Sequence, residues 1–323
     1  MKNSLIHQKG YVAPFLKWVG GKGQLLEQFQ RFLPSTLTGR HYVEPFMGSG
    51  AVFFYVKQNL NPASCTLLDI NPELVNTFQQ IRDNVEEVIG LLAEHHLRHN
   101  AEGITEELRK EYYYSVRALL PEILSFAERA SRFIYLNKTC FNGLHRINSR
   151  GFFNVPMGSY RLPKIYDAFH LREVSALLQS VTIEVCPFQM CEQYITPGSF
   201  TYFDPPYEPL SATSSFTGYA KMGFTADNQR ELRDLVMRLS AHSDCMISNS
   251  TAPLIEELYE VSFFQKHHVL ASRAINSNAQ GRGKIKELVI TNYAVDVKAS
   301  NTLAQNDLFS QVYEPVPLLS DGM

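Results

Sequence analysis

No run of about eighteen consecutive apolar residues occurs in this chain, so no membrane-spanning helix is expected. The first residues, Met1-Lys2-Asn3-Ser4-Leu5-Ile6-His7, lack the apolar stretch of a secretion signal, and a cytoplasmic protein is expected. Cysteine is scarce. The five present (Cys65, Cys140, Cys186, Cys191, Cys245) make no C-x-x-C pair and imply reduced, mostly buried thiols. Cys186 and Cys191 lie nearest each other, but no second ligand pair stands close by, so no metal site is expected. His95, His96 and His99 can share a helical face, yet their surroundings are polar and predict a solvated one. Net charge is only −2, which gives no global sign of a nucleic-acid binder. Internal repeats and long low-complexity segments are absent as well.

What is present suffices for a full core: 45% of residues are hydrophobic, which excludes global disorder. Short apolar segments at 42–46, 66–70, 182–186, 200–204 and 245–249 read as parallel strands, with two more near 261–269 and 286–293. Helical periodicity separates them. Leu25, Leu26, Phe29, Phe32 and Leu33 form one face, stopped by Pro34. Asn71 and Pro72 suit the cap and first turn of a helix carrying Leu74, Val75, Phe78, Ile81, Val85 and Val88. Asp227 suits the cap of another bearing Leu232, Leu235, Val236 and Leu239. This alternation predicts a doubly wound, Rossmann-like α/β sheet with its ligands at the carboxyl ends of the strands.

The second and third strands stand more than a hundred residues apart, too far for a simple crossover. The expected organisation is therefore a catalytic domain in two parts, 1–90 and 172–294, an inserted helical and hairpin unit at 91–171, and a flexible tail at 295–323. Charge concentrates in the insertion. Between residues 129 and 172 stand Arg129, Arg132, Lys138, Arg146, Arg150, Arg161, Lys164 and Arg172, against the single acid Asp167. Interleaved with Phe141, Phe152, Phe153 and Tyr160, such a block suits a surface that tracks phosphates and reads bases.

Three motifs carry the chemistry. Glu44-Pro45-Phe46-Met47-Gly48-Ser49-Gly50 runs off the first strand, where glycines let backbone N–H groups approach a ligand. Asp69 ends the second strand and can accept both hydroxyls of a ribose. Asp204-Pro205-Pro206-Tyr207 follows the apolar strand Phe200-Thr201-Tyr202-Phe203. An amino group conjugated with an aromatic ring is a poor nucleophile, and two acceptors drawing on its N–H bonds localise the lone pair. The Asp204 carboxylate and the Pro205 carbonyl can be that pair, while Pro206 stiffens the loop and Tyr207 offers a stacking face. The third motif, Lys17-Trp18-Val19-Gly20-Gly21-Lys22, joins an aromatic ring and a cation through two glycines.

In chain order, Trp18 to Lys22, then Glu44 to Gly50, then after an insertion Asp204 to Tyr207, the motifs resemble the Dam-type, alpha-class adenine-N6 DNA methyltransferases. The resemblance continues through Phe141-Asn142-Gly143-Leu144, Arg146, Asn148, Phe153-Asn154-Val155-Pro156, Gly158 and Tyr160, and through Ile247-Ser248-Asn249-Ser250. It covers roughly residues 13–293. It implies S-adenosyl-L-methionine as cofactor and double-stranded DNA as partner, methylated at 5′-GATC-3′ on a base flipped out of the duplex by a monomeric enzyme. It further implies a cofactor site of Trp18, Lys22, Glu44, Phe46, Gly48, Gly50, Asp69, Phe188 and Asp204. Lys17, Asn142, Leu144, Arg146, Asn148 and Tyr160 would contact DNA. One departure is the stretch Val185-Cys186-Pro187-Phe188, where relatives carry an acid against the cofactor's adenine and Pro187 cannot replace it. RNA adenine and protein glutamine methyltransferases use similar four-residue loops, but the basic hairpin and the Trp18–Lys22 motif argue against both. Loops at 208–225 and 271–284 are expected to be mobile without DNA. In the tail, Gln305-Asn306-Asp307-Leu308-Phe309 resembles the pentapeptide that binds the bacterial sliding clamp.

Overall fold

The computed structural model describes residues 10–210, 224–272 and 284–295. The tail pentapeptide, and most of the two loops expected to be mobile, lie outside the described residues. Seven strands pair in one sheet: β1 (His41–Glu44), β2 (Ser64–Asp69), β3 (Val181–Val185), β4 (Phe200–Phe203), β5 (Asp244–Ser250), β6 (Gln265–Ser272) and β7 (Lys284–Thr291). Their order is β3-β2-β1-β4-β5-β7-β6, with β1 to β5 parallel and β7 antiparallel to both neighbours. The doubly wound sheet expected from the sequence is present.

Alternation along the strands divides the core in two. Tyr42, Leu67, Phe200, Tyr202 and Met246 point to one face, and Val43, Leu68, Phe203, Cys245 and Ile247 to the other. On the second face lies α8 (Ala226–Leu239), whose Leu232, Leu235, Val236 and Leu239 are all buried, each worth about 1.5–3 kcal/mol. The first face is covered by α2 (Ala51–Asn59), α3 (Pro72–Asp83) and the helices of the insertion.

Several expected boundaries move. The apolar face of residues 25–33 yields only a 3-10 turn (Lys22–Gln24) and a single turn of helix, α1 (Leu26–Phe29). Asn71 does cap α3, accepting from Glu73 N–H and Leu74 N–H, with Pro72 in the first turn. The helix stops at Asp83, however, because Asn84 leaves helical geometry at φ −136° and ψ 38°. Val85 and Val88 belong to α4 (Val85–Asn100). The cap of α8 is Thr225 rather than Asp227. Thr225 Oγ1 accepts from Asn228 N–H and Asn228 Oδ1 accepts from Thr225 N–H, a reciprocal pair that Asp227, inside the first turn, does not form.

Between α3 and β3 the chain forms a block of α4, α5 (Glu106–Ala118), α6 (Phe126–Thr139), a hairpin-like excursion, and α7 (Ala168–Leu178). Residue 91, where the insertion is expected to start, lies within α4, the first helix of this block. Its buried residues, among them Val88, Leu92, Tyr113, Phe133 and Ile134, share one continuous core with Tyr42 and Leu67 of the sheet. The hairpin holds only isolated antiparallel bridges, Cys140 to Met157 and Ile147 to Phe153. The three histidines of α4 do not form a solvated face. His99 is buried beside the Tyr135 hydroxyl (2.9 Å), and His95 lies 2.7 Å from the Tyr112 hydroxyl and stacks on Tyr135. Burial pushes both imidazoles down to about 4, and neighbouring arginines add to the shift. All five cysteines are buried and free. Among the described residues no helix is long and apolar enough to cross a membrane, and no three His, Cys, Asp or Glu are grouped to hold a metal.

Candidate active site

Strands β1 and β4 lie side by side, Tyr42 opposite Phe200 and Val43 opposite Thr201, and the sheet order reverses there. Such a switch point opens a crevice at the carboxyl ends of the strands. It brings the Glu44–Gly50 turn and the Asp204–Tyr207 loop together from opposite ends of the chain.

The turn after β1 is held by its own backbone: Met47 N–H donates to the Leu68 carbonyl (2.9 Å) and Gly50 N–H to the Met47 carbonyl (2.7 Å). Gly48 has φ +49°, and a side chain there would come within 3.1 Å of the Trp18 indole. The indole of the third motif therefore rests directly on the glycine turn. Asp69 accepts Gly48 N–H on Oδ2 (3.1 Å) and Asn71 N–H on Oδ1 (2.9 Å). It fastens the turn to α3, and each oxygen keeps a second lone pair for a hydroxyl.

Lys22 is buried, at 5% exposure. Its Nζ donates to the Gly20 carbonyl (2.7 Å), lies 2.8 Å from Asp204 Oδ1, and stands 4.7 Å from the centre of the Tyr207 ring. Lys22, expected in the cofactor site, here faces the carboxylate of the loop. Burial raises the Asp204 carboxyl above its ordinary value, Lys22 opposes the rise, and Glu287 adds to it. Glu44, 2% exposed, accepts a hydrogen bond from the Tyr42 hydroxyl (2.6 Å). Burial pushes its carboxyl up to about 8, with Asp204 adding to the rise and Tyr42 and Lys22 opposing it. The Tyr207 hydroxyl donates to Glu287 Oε2 on β7 (2.8 Å). Asp204 and Glu44 thus bear on the one lysine, while Glu287 holds the tyrosine ring beside it.

Beside the turn, Phe46 stacks on Phe188 (5.5 Å between centroids), and Phe224 meets both edges of the pair (5.9 and 5.4 Å). Phe188 was expected here and Phe224 was not. A lone phenylalanine before a helix cap leaves no pattern in the sequence.

A second cluster joins this crevice to the hairpin. Asn137 of α6 accepts Lys17 N–H on Oδ1 (2.9 Å) and donates from Nδ2 to the carbonyls of Lys17 (2.7 Å) and Gly143 (3.2 Å). Gly143 has φ +64°, and a Cβ there would press within 2.6 Å of the Lys17 side chain. The Lys17 ammonium sits 4.2 Å from the centre of the Tyr160 ring. His145 stacks on Trp18 (5.9 Å), linking hairpin to turn. Asn137 and His145 escaped the sequence reading, although a polar residue inside the otherwise apolar stripe of α6 is a recognisable signal.

Of the other hairpin candidates, Leu144 is half-buried and Asn142 is exposed at φ +55°. Arg146 is exposed, its Nε donating to Asn154 Oδ1 (2.7 Å). Asn148 Oδ1 accepts the N–H groups of Arg150 (2.9 Å) and Phe152 (3.0 Å), so that oxygen organises the turn. The basic block is smaller than its composition suggests. Arg129 pairs with Glu73 and Arg172 with Glu86, acids outside the counted window. Arg132 is buried, donating to the carbonyls of Val116 and Arg117. Arg146, Arg150 and Arg161 remain exposed around the hairpin.

Residues 18–275 match the family described as D12 class N6 adenine-specific DNA methyltransferase. The chain is 40% identical over 297 residues to the Type II methyltransferase M.MjaIII of Methanocaldococcus jannaschii, covering 87% of this chain and 99% of that protein. It is 40% identical over 298 residues to the Type II methyltransferase M1.LlaDCHI of Lactococcus lactis subsp. cremoris, covering 90% and 99%. The DNA adenine methylase of Escherichia coli is 34% identical over 284 residues, covering 85% and 93%. Among solved structures, the delta-N METTL16 MTase domain aligns with 84% of this chain and 82% of its own at 11% identity, with a TM-score of 0.37, too distant to add to the assignment. With the family match running from Trp18 of the glycine motif past the Asp204 loop, the chain belongs to the D12 class N6 adenine-specific DNA methyltransferases.

Proposed function

We propose that this enzyme moves the methyl group of S-adenosyl-L-methionine to adenine N6 in duplex DNA at 5′-GATC-3′, as a monomer, on a base turned out of the helix. The observation that carries this is the Asp204 carboxylate, held by Lys22 at the mouth of the Trp18–Gly48 turn, one loop residue from Pro205 and three from Tyr207. The surroundings fit such a cofactor. Asp204 and Glu287 outweigh Lys22 in charge and favour a cationic ligand, while Glu44, pushed up to about 8, adds little charge at neutral pH. The faces of Phe46, Phe188 and Phe224 suit its adenine ring, which needs no acid at Pro187. Asp69, Gly48 and Gly50 suit the ribose side, and Trp18 the methionyl side.

When bound, the sulfonium supplies an electrophilic methyl group. The chain's own part is to make N6 nucleophilic. The Asp204 carboxylate accepts one N6–H and the Pro205 carbonyl the other, so nitrogen's lone pair localises toward the methyl. Tyr207, anchored through its hydroxyl to Glu287, presents its face to the extruded ring. Lys22 keeps Asp204 ionised against the cost of burial, as an acceptor must be.

Residues 91–171 carry base reading in this proposal, with Lys17 and Tyr160 at its junction with the catalytic part. Asn154 fixes Arg146 at Nε and leaves the two terminal nitrogens to reach a guanine edge. Arg146→Ala should therefore lower the preference for GATC over sites altered at one guanine, by about 1–3 kcal/mol. Arg150→Ala, at the exposed turn, should weaken binding to all duplexes alike and reduce the salt dependence. Competition binding with cognate and single-mismatch duplexes checks both, and an unchanged ratio in Arg146→Ala would remove its reading role. Labelled cofactor offered with GATC duplex, mismatched duplex, structured RNA or release factor tests the substrate itself; label only in the GATC duplex is expected.

The pentapeptide at 305–309 would tether the enzyme to a sliding clamp, with Leu308 and Phe309 in an apolar pocket and Gln305 as polar anchor. A tail peptide is expected to bind the clamp with a Kd of about a micromolar, and Leu308→Ala or Phe309→Ala to abolish it. Binding that survives both substitutions removes this role.

A further inference from the structure

Prolines at 205 and 206 leave the catalytic loop without two backbone N–H groups, so it cannot hold itself by main-chain hydrogen bonds. Buried side chains do so instead. Asn249 on β5 and Gln229 in the first turn of α8 are 0% and 1% exposed. Asn249 Oδ1 accepts the N–H groups of Ser250 (2.8 Å) and Glu208 (3.3 Å). Those two donors fix the orientation of its amide and aim Nδ2 at Gln229 Oε1 (3.0 Å). Gln229 in turn must present Nε2 outward, where it donates to the Pro206 carbonyl (3.0 Å). Ser250 Oγ closes the far side by donating to the Glu208 carbonyl (2.6 Å). Each amide is oriented by its predecessor, and the chain of donors ends on one of the loop's two proline carbonyls.

We propose that Gln229, oriented by Asn249, is a positioning residue for methyl transfer. By taking up the Pro206 carbonyl it fixes the peptide between Pro206 and Tyr207, and with it the chain just after Pro205, and leaves the Pro205 carbonyl as partner of Asp204 at the target amino group. This rests on the reading of residues 204–207 as the loop that holds the target base. Gln229 touches neither base nor cofactor. Its contribution is to the angle between two acceptors, which bears on the rate of the chemical step and not on affinity.

Single-turnover methyl transfer on a duplex separates these effects, with 2-aminopurine at the target position reporting base extrusion. Gln229→Met keeps the volume and removes the donor. Its single-turnover rate should fall about ten- to hundredfold, the worth of one buried hydrogen bond, while KM for DNA, KM for cofactor and extrusion stay within about twofold. Gln229→Glu gives a sharper readout. Ionised, it sets a carboxylate against the Pro206 carbonyl; protonated, it donates to that carbonyl and still accepts from Asn249. Its rate relative to the parent should therefore rise as pH is lowered, an inversion that simple loosening of the core does not produce. A Gln229→Met enzyme within twofold of the parent overturns the proposal. So does a Gln229→Glu to parent ratio that is flat or climbs with pH, and this second test stands alone if the Met variant does not fold. Asp204→Ala, assayed beside them, keeps the two ideas apart. An active Asp204→Ala overturns the loop reading, whereas an inactive one beside normal Gln229 variants overturns only the positioning role.

Discussion

Asp204→Ala is expected to lower the rate of methyl transfer by about two orders of magnitude or more while leaving DNA binding near that of the parent. The expectation follows from what the carboxylate does and does not support. It accepts no structural backbone N–H, unlike Asp69, and its only ionic partner is Lys22 among the described residues. Removing it leaves the buried Lys22 without its ionic partner, at a cost of about 3–5 kcal/mol, but the loop keeps its place, because it is held through Pro206 and Glu208 by Gln229, Asn249 and Ser250. The hairpin proposed to face DNA is anchored elsewhere, at Asn137 and Trp18. What disappears is the acceptor that makes a conjugated amino group nucleophilic, an interaction that matters most at the transition state. The measurement is single-turnover kinetics beside a binding isotherm on the same duplex. Turnover within a few-fold of the parent would mean that another group localises the lone pair.

The parts of this site that were legible in the sequence are those governed by short-range rules. A glycine turn after an apolar strand, an acid ending the next strand and Asn71-Pro72 opening a helix all express local backbone geometry, and each lies where the sequence put it. That the Glu44 and Asp204 motifs are neighbours was readable only through the fold class, since nothing local links them; the β1–β4 pairing does. The side-chain relay that holds the Asp204 loop was not legible at all. Gln229 and Asn249 are polar residues in a helix and a strand, and only tertiary packing converts them into a relay. The basic block failed for the same reason in reverse. Charge counted in a window is blind to Glu73 and Glu86, which lie outside the window and neutralise two of its arginines. His95 and His99 belong with these, buried by tyrosines from α5 and α6 that a helical wheel of α4 does not show.

Lys22→Met should be the other severe substitution, and its signature is in pH. The side chain keeps its length and apolar stem but loses the charge 2.8 Å from Asp204. Removing one partner of a buried ion pair costs about 3–5 kcal/mol, here as an uncompensated carboxylate beside Glu44 and Glu287. Burial already holds the Asp204 carboxyl above its ordinary value, and Lys22 is the strongest influence opposing it, so its loss moves that carboxyl higher still. Methyl transfer needs the ionised acceptor. The acidic limb of the rate profile should therefore shift to higher pH, by about one unit or more, with activity at neutral pH reduced at least tenfold. Stability gives an independent check of the sign. Glu44, pushed up to about 8 from 4.5, favours the folded state while neutral, and that contribution is lost as pH rises from about 4.5 through about 8. Lys22 also opposes this rise, so without it the loss across the same interval should be steeper. Urea denaturation at pH 5 and pH 8 measures it: the difference between the two midpoints should be larger in Lys22→Met than in the parent. An unshifted acidic limb together with an unchanged difference in midpoints would show that the lysine does not govern the ionisation of Asp204.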